Sequence, residues 1–192
     1  MKFSFTEEQD EFRSVLRRFL EDKSPSTEVR RLMATSEGWE REQWSKINTD
    51  LGLTAVAIPE EYGGPGFGLS EQCIVLEEMG RSLLCAPYFG SAVLAASAIL
   101  YAATEDQKSA LLPGIASGDT IATLAFTEEN GLWNNSGLAT VFEKKGSEYS
   151  ISGTKSFVLD GSTADLIIVL ARAPNTKNDE GLSLFAVDGN AS

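Results

Sequence analysis

Histidine is absent from all 192 residues, and its absence removes whole classes of chemistry. A Ser-His-Asp triad, a Cys-His pair, an H-E-x-x-H zinc site and a histidine general base are all excluded within this chain. Cysteine is scarce too, with Cys73 and Cys85 the only thiols. Two sulfurs without an imidazole fall short of a closed tetrahedral zinc site, so no metal ligands are assigned. Both lie in or beside an apolar helical run, which favours buried reduced thiols over a disulfide or a nucleophile. A cytoplasmic setting is the matching expectation.

Basic residues are also in short supply. Lysine and arginine number 16 against 28 acidic residues, a net charge of −12. Nucleic acid is not an expected partner, because phosphate binding needs a basic face. The same charge does not favour a polyanionic ligand, whose phosphates would have to meet local lysines, arginines or helix N-termini. Long hydrophobic runs are missing as well: the longest, 92–103, is too short to span a bilayer. The opening Met1-Lys2-Phe3-Ser4 leads into a polar, amphipathic segment rather than a signal peptide.

What is present changes period once. Residues 6–117 read as helices, and from about 119 onward the chain reads as short strands. Thr6 and Gln9 form a capping box ahead of a core stripe at Phe12, Val15, Leu16, Phe19 and Leu20. Further helices are predicted over 28–34 and 41–51, the latter closing at Gly52, and then from a cap at Ser70. That fourth helix carries too many apolar positions for one narrow face and is expected to be largely buried. A central, alanine-rich helix over 90–103 follows, and then one capped by Thr104 and Gln107.

Strands are predicted over 120–127, 138–143, 149–152, 155–159, 165–171 and 182–187, the run 166–170 being apolar throughout and thus buried on both faces. The fold class expected is therefore α+β and multidomain: an antiparallel N-terminal helical bundle over 1–118, then a mostly antiparallel β domain over 119–192. The glycine-rich Gly63-Gly64-Pro65-Gly66-Phe67-Gly68 lacks the spacing of a dinucleotide fingerprint or a P-loop and reads as a tight inter-helix loop.

Two segments carry the functional signal: Leu124-Ala125-Phe126-Thr127-Glu128-Glu129-Asn130-Gly131 and Ile151-Ser152-Gly153-Thr154-Lys155-Ser156-Phe157-Val158-Leu159-Asp160-Gly161. They resemble the A-x-T-E-P-G and G-x-K-x-[WF]-[IV] motifs of acyl-CoA dehydrogenases. Phe3-Ser4-Phe5-Thr6-Glu7-Glu8-Gln9, Gly52-Leu53, Pro59-Glu60-Glu61-Tyr62-Gly63-Gly64, Glu77-Glu78-Met79-Gly80-Arg81 and Leu112-Pro113-Gly114-Ile115-Ala116-Ser117-Gly118 follow the same family's order.

The resemblance implies FAD as cofactor, an acyl-CoA thioester as substrate, an electron-transferring flavoprotein as partner and a homo- or hetero-oligomer. It implies flavin contacts from the backbone of Leu124 and Phe126 and the hydroxyl of Thr127. It also implies packing behind the ring by Phe157, Val158 and Leu159. Taken without the motif, Thr127 reads as an ordinary strand threonine, and 157–159 read as strand core as readily as flavin contacts.

Three departures qualify the likeness. Leu159 stands where the family often has threonine. Glu129-Asn130-Gly131-Leu132-Trp133-Asn134-Asn135-Ser136 replaces the family's Pro and G-S-D turn, so no substrate contact transfers; Trp133 either lines the acyl channel or covers the sheet. Nothing matches the family's C-terminal helical bundle, which supplies the catalytic carboxylate, so no catalytic residue is assigned. The glutamates read as solvated helix faces and caps. A non-catalytic partner subunit and a related flavin monooxygenase are the alternatives to a dehydrogenase.

Overall fold

The computed structural model describes residues 4–191; Phe3 of the opening motif and Ser192 lie outside them. The helices are α1 (Glu7–Lys23), α2 (Ser26–Met33), α3 (Arg41–Thr49), α4 (Leu69–Ser82), a π-helical stretch (Phe89–Ala95) continuing as α5 (Ala96–Ala102), and α6 (Glu105–Ser117). The strands are β1 (Ala122–Ala125), β2 (Val141–Lys145), β3 (Glu148–Ser152), β4 (Leu166–Arg172) and β5 (Leu182–Asp188). A helical region followed by a mixed sheet is thus the architecture. By spatial contact the chain forms two compact units, one of residues 1–86 and 109–119, the other of 87–108 and 120–192. The division at 118/119 expected above is one of sequence.

In the first unit, the Thr6 capping box forms as the sequence predicts: the Thr6 hydroxyl accepts from Gln9 N–H at 3.2 Å and Gln9 Oε1 from Thr6 N–H at 3.0 Å. Leu16 and Leu20 of the α1 stripe are fully buried, together with Leu32, Ile47, Leu53, Ile58, Ile74, Leu112 and Ile115. Phe12, Val15 and Phe19 are not, so the stripe is narrower than its periodicity predicts. Helix α3 ends at Thr49 with Asp50 as its C-cap, two residues short of the expected 51; Gly52, in the left-handed region at φ 59°, lies just beyond and donates its N–H to the Asn48 carbonyl at 2.9 Å.

Ser70 is not the cap of α4. That position belongs to Gly68, whose N–H donates to the Glu71 carboxylate at 2.8 Å, while Glu71 also accepts from Gln9 Nε2 at 2.7 Å. The reach of Glu71 back to Gly68 starts the helix earlier than a serine cap would. Antiparallel neighbours are expected where connections are short. Helices α1 and α4 are not consecutive, and their bonds ascend together, from Gln9–Glu71 through Arg17–Glu78 to Arg81–Glu21. They run in the same direction.

One carboxylate in this unit defies the reading of glutamates as solvated. Glu78 is only 1 % exposed and accepts from Arg17 Nε and Nη2, at 2.9 and 2.6 Å, and from Arg13 at 3.2 Å. The Arg17 hydrogen bonds, outweighing the opposing effect of burial, hold its carboxyl down at about 2.

In the second unit, β4 is the hub of the sheet. It pairs in parallel with β1 from Leu166 to Val169 and with β2 at Arg172, and antiparallel with β5 along its whole length. Since β5 takes one edge, β1 and β2 share the other in succession. The β2–β3 hairpin is antiparallel, and Phe142, Tyr149 and Phe185 cluster across it with centroids 4.9–6.0 Å apart. In the apolar run 166–170 only Ile168 is fully buried, the other four being partly exposed, so the expectation of a strand buried on both faces is not met. The π-helical stretch packs on β1.

The predicted strand over 155–159 does not form. Ser156 N–H donates to the Thr127 carbonyl at 2.9 Å, and then the chain turns, with Phe157 at φ 57° and Asp160 at φ 54°. Both sit in the left-handed region, which no strand adopts. An apolar Phe-Val-Leu run has strand propensity, but here tertiary anchoring overrides it.

Candidate functional site

Alternation along β1 sorts its side chains to two sides of the sheet, since successive residues of a strand point oppositely. Leu124 and, just past the strand, Phe126 face a cavity of about 640 Å³; Ala125 faces a separate groove. The cavity is completed by Thr127, Gly131, Trp133, Phe157 and Leu159, with Phe89 and Leu94 from the π-helical stretch. Its volume lies within the roughly 300–1,000 Å³ span of small-molecule pockets.

Five of the six residues expected at a flavin, Leu124, Phe126, Thr127, Phe157 and Leu159, are brought together here. The sixth is not: Val158 lines the groove on the other side with Ala125, Lys155, Gly161, Ile167 and Val169. The turn through 157–160 explains the split, because it throws Phe157 and Leu159 one way and Val158 the other. Phe157 is 75 % exposed and Leu159 51 %, so neither is strand core. Together with Trp133 and Phe89 they give the cavity an exposed apolar rim, the kind of surface that marks a binding site rather than a finished core.

The segments that carry this rim are joined by a buried ion pair. Glu128 Oε1 accepts from Lys155 Nζ at 2.9 Å, from the Thr140 hydroxyl at 2.7 Å and from Thr140 N–H at 2.9 Å, while Oε2 takes Ala139 N–H at 2.8 Å. Both side chains are under 10 % exposed. Burial pushes the Glu128 carboxyl up, but the bonds from Thr140, Lys155 and Ala139 together hold it at about 2. Burial also lowers the Lys155 ammonium, against the pull of Glu128. The pair ties the segment after β1, the start of β2 and the 153–161 turn into one support for the cavity.

Gly153, the first residue of the G-x-K motif, is required by that support, because a Cβ there would lie 2.7 Å from Thr140 Cα. Arg172, buried at the end of β4, donates to the carbonyls of Leu138 at 2.9 Å and Asn135 at 2.6 Å and so fixes the far end of the loop bearing Trp133. Asp160, on the same turn as Leu159, is raised by burial while the Gly90 N–H opposes the shift.

The motif residues Glu128 and Lys155 were visible in the sequence, but nothing there says that they pair. Phe89 and Leu94 carried no signal separating a cavity wall from a helix core. Among the described residues, no group of three or more Cys, Asp or Glu side chains is arranged to hold a metal ion.

Residues 6–119 match the acyl-CoA dehydrogenase N-terminal domain, and residues 123–192 the acyl-CoA dehydrogenase middle domain. The chain belongs to the acyl-CoA dehydrogenase family. Among similar proteins is the acryloyl-CoA reductase (NADH) of Anaerotignum propionicum, 29% identical over 98% of this chain and 48% of that protein. Another is the short-chain specific acyl-CoA dehydrogenase of Clostridium acetobutylicum, 30% identical over 98% of this chain and 49% of its own length.

Similar solved structures include the ChsE4-ChsE5 complex from Mycobacterium tuberculosis, at 29% identity and TM-score 0.84, over 99% of this chain and 49% of that one. An FAD-dependent dehydrogenase aligns at 29% identity and TM-score 0.80, over 99% and 49%. The chain spans about half the length of the relatives it matches. No helix among the described residues is long and apolar enough to cross a membrane.

Proposed function

We propose that this chain forms the helical and flavin-cradling portion of an FAD-dependent acyl-CoA dehydrogenase, which converts an acyl-CoA thioester to a trans-2-enoyl-CoA. The observation that carries the reading is the convergence of Leu124, Phe126, Thr127, Phe157 and Leu159 on one apolar cavity. The residues fit such a group: a flat, largely apolar ring is matched by aromatic and aliphatic walls, and a hydroxyl-bearing side chain, Thr127, stands among them. Bound FAD would supply the acceptor for the hydride removed from the acyl chain, and an electron-transferring flavoprotein would take the electrons onward.

This chain's own part would be to hold the ring: Phe157 and Leu159 would pack on it and Thr127 would hydrogen-bond to it, while the Glu128–Lys155 pair ties the two segments together. No carboxylate of the chain is assigned the proton abstraction, so the 192-residue chain alone is expected to lack dehydrogenase activity; oriented general-base catalysis contributes about 10²–10⁴-fold.

The test is FAD titration followed by flavin fluorescence anisotropy, with acyl-CoA-dependent dye reduction alongside. Weak FAD binding that is weakened further in Thr127→Val and Phe157→Ala, without dye reduction, supports the reading. Binding indifferent to both substitutions defeats it.

A second reading is a partner subunit in a hetero-oligomer. It is favoured by the similarity to a chain of the ChsE4-ChsE5 complex and by the loss of the G-S-D turn at 129–136. Co-purification with a homologous chain carrying a catalytic carboxylate would support it.

A further inference from the structure

Trp133 is the feature of the cavity that the family resemblance does not account for. It is 83 % exposed, although a tryptophan covering a sheet would be buried, and it touches Phe126 edge-on, with centroids 5.7 Å apart and an interplanar angle of 88°. Its loop is not slack. Asn130 Nδ2 donates to the Gly137 carbonyl at 2.7 Å and Asn130 Oδ1 accepts from Leu132 N–H at 2.9 Å. Asn134 Oδ1 accepts from Ser136 N–H at 3.1 Å, Asn135 Nδ2 reaches Asp179 at 2.9 Å, and Arg172 holds the Asn135 carbonyl.

The asparagines of this segment therefore act as loop fasteners. A fastened loop that presents a large indole at a cavity mouth, steadied by one aromatic contact and otherwise facing open space, is arranged to receive something flat.

We infer that Trp133 is a direct ligand contact in the 640 Å³ cavity, an aromatic wall that packs against the isoalloxazine ring of a bound flavin. This rests on the flavin reading of the cavity. It goes beyond that reading in giving this chain a ring contact at a position where the family motif has a small polar turn. The Trp133–Phe126 pair and Phe157 then form aromatic walls of one site, and the ligand covers apolar surface that the chain leaves bare. The Asn-rich loop is in this view a specificity element.

The chain has three tryptophans, so its ¹H–¹⁵N spectrum carries three indole N–H signals, and Trp133→Phe identifies the one of interest. FAD is titrated into the ¹⁵N-labelled protein while the indole signals and the backbone amides of Leu124, Thr127 and Leu159 are followed. The expected result is that the Trp133 indole shifts with the same saturation curve as those amides while the Trp39 and Trp44 indoles stay in place. Trp133→Ala should weaken FAD binding roughly fivefold to tenfold, the scale of one aromatic contact, and Trp133→Phe should restore most of it.

Because Trp133 is so exposed, neither variant threatens the fold. If the amides shift but the Trp133 indole does not, and Trp133→Ala binds FAD as well as the parent, the inference is overturned while the flavin site stands. If neither the amides nor the indole respond at saturating FAD, the flavin reading falls and takes the inference with it.

Discussion

Among the described residues each unit buries one carboxylate side chain, Glu78 in the helical unit and Glu128 in the β unit, and both are held at about 2 by entirely different surroundings. Glu78 is held by guanidinium groups alone, from Arg13, Arg17 and Arg81, of which Arg17 and Arg81 are nearly half-exposed. Glu128 is held by a buried ammonium, a buried hydroxyl and two backbone N–H groups. The first arrangement clamps two helices whose charged partners keep access to water. The second organises loops whose polar groups have nowhere else to go. The same shift therefore signals a helix clamp in one place and a loop scaffold beside the apolar cavity in the other.

The largest expected effect separates the two by deletion. Glu128→Ala strands Lys155 and two amide donors and should destabilise the β unit by about 3–5 kcal/mol. Glu78→Ala frees arginines that can turn toward solvent and should cost the helical unit about 1–3 kcal/mol. Hydrogen exchange read separately over each unit measures both. Equal losses would erase the distinction.

Acid comes next, and here the two sites should behave alike. Each folded-state pKa lies at about 2, below the ordinary 4.5, so the unfolded chain binds more protons between those values. The stabilisation is therefore present above about pH 4.5 and lost as pH falls toward 2, roughly 3 kcal/mol per site. Melting temperature against pH should show a steep acid limb, flattened in Glu78→Gln and in Glu128→Gln.

A steric change should affect only the β site. Gly153→Ala drives a methyl into Thr140, the residue that donates twice to Glu128, and should cost about 1–3 kcal/mol while weakening FAD binding. The smallest effect sharpens the contrast from the other side. Raising NaCl to 1 M should weaken the arginine clamp by under about 1 kcal/mol and leave the buried Glu128–Lys155 pair nearly untouched. Double-mutant cycles of Arg17 with Glu78 and of Lys155 with Glu128, each in low and high salt, provide the measurement.

Much of the architecture was legible because it depends on local physics. The capping boxes at Thr6–Gln9 and Thr104–Gln107, the left-handed glycine at 52 and the change from helical to strand period all stand in the structure. Where a local pattern misled, another hydrogen bond had won, near in sequence at α4 and far in sequence at 155–159. Ser70 lost the cap to Gly68 because Glu71 reached back, and the 155–159 run lost its strand because Ser156 and Lys155 are tied to Thr127 and Glu128. Val158, grouped with its neighbours by motif, faces the other side because the turn reverses direction there.

By itself the sequence determined the order of helices and strands, the motif residues that place the chain in its family, and the exclusion of histidine-based chemistry. Capping, periodicity and composition act over a few residues, so they can be read without coordinates. Only the tertiary structure decided that Glu78 and Glu128 are buried, that Phe157 and Leu159 turn toward Leu124 and Phe126, and that Trp133 stands exposed at the mouth they form. Those outcomes depend on pairings between segments far apart along the chain, such as Glu128 with Lys155 and Arg172 with Asn135, whose free energies arise only when folding removes both partners from water.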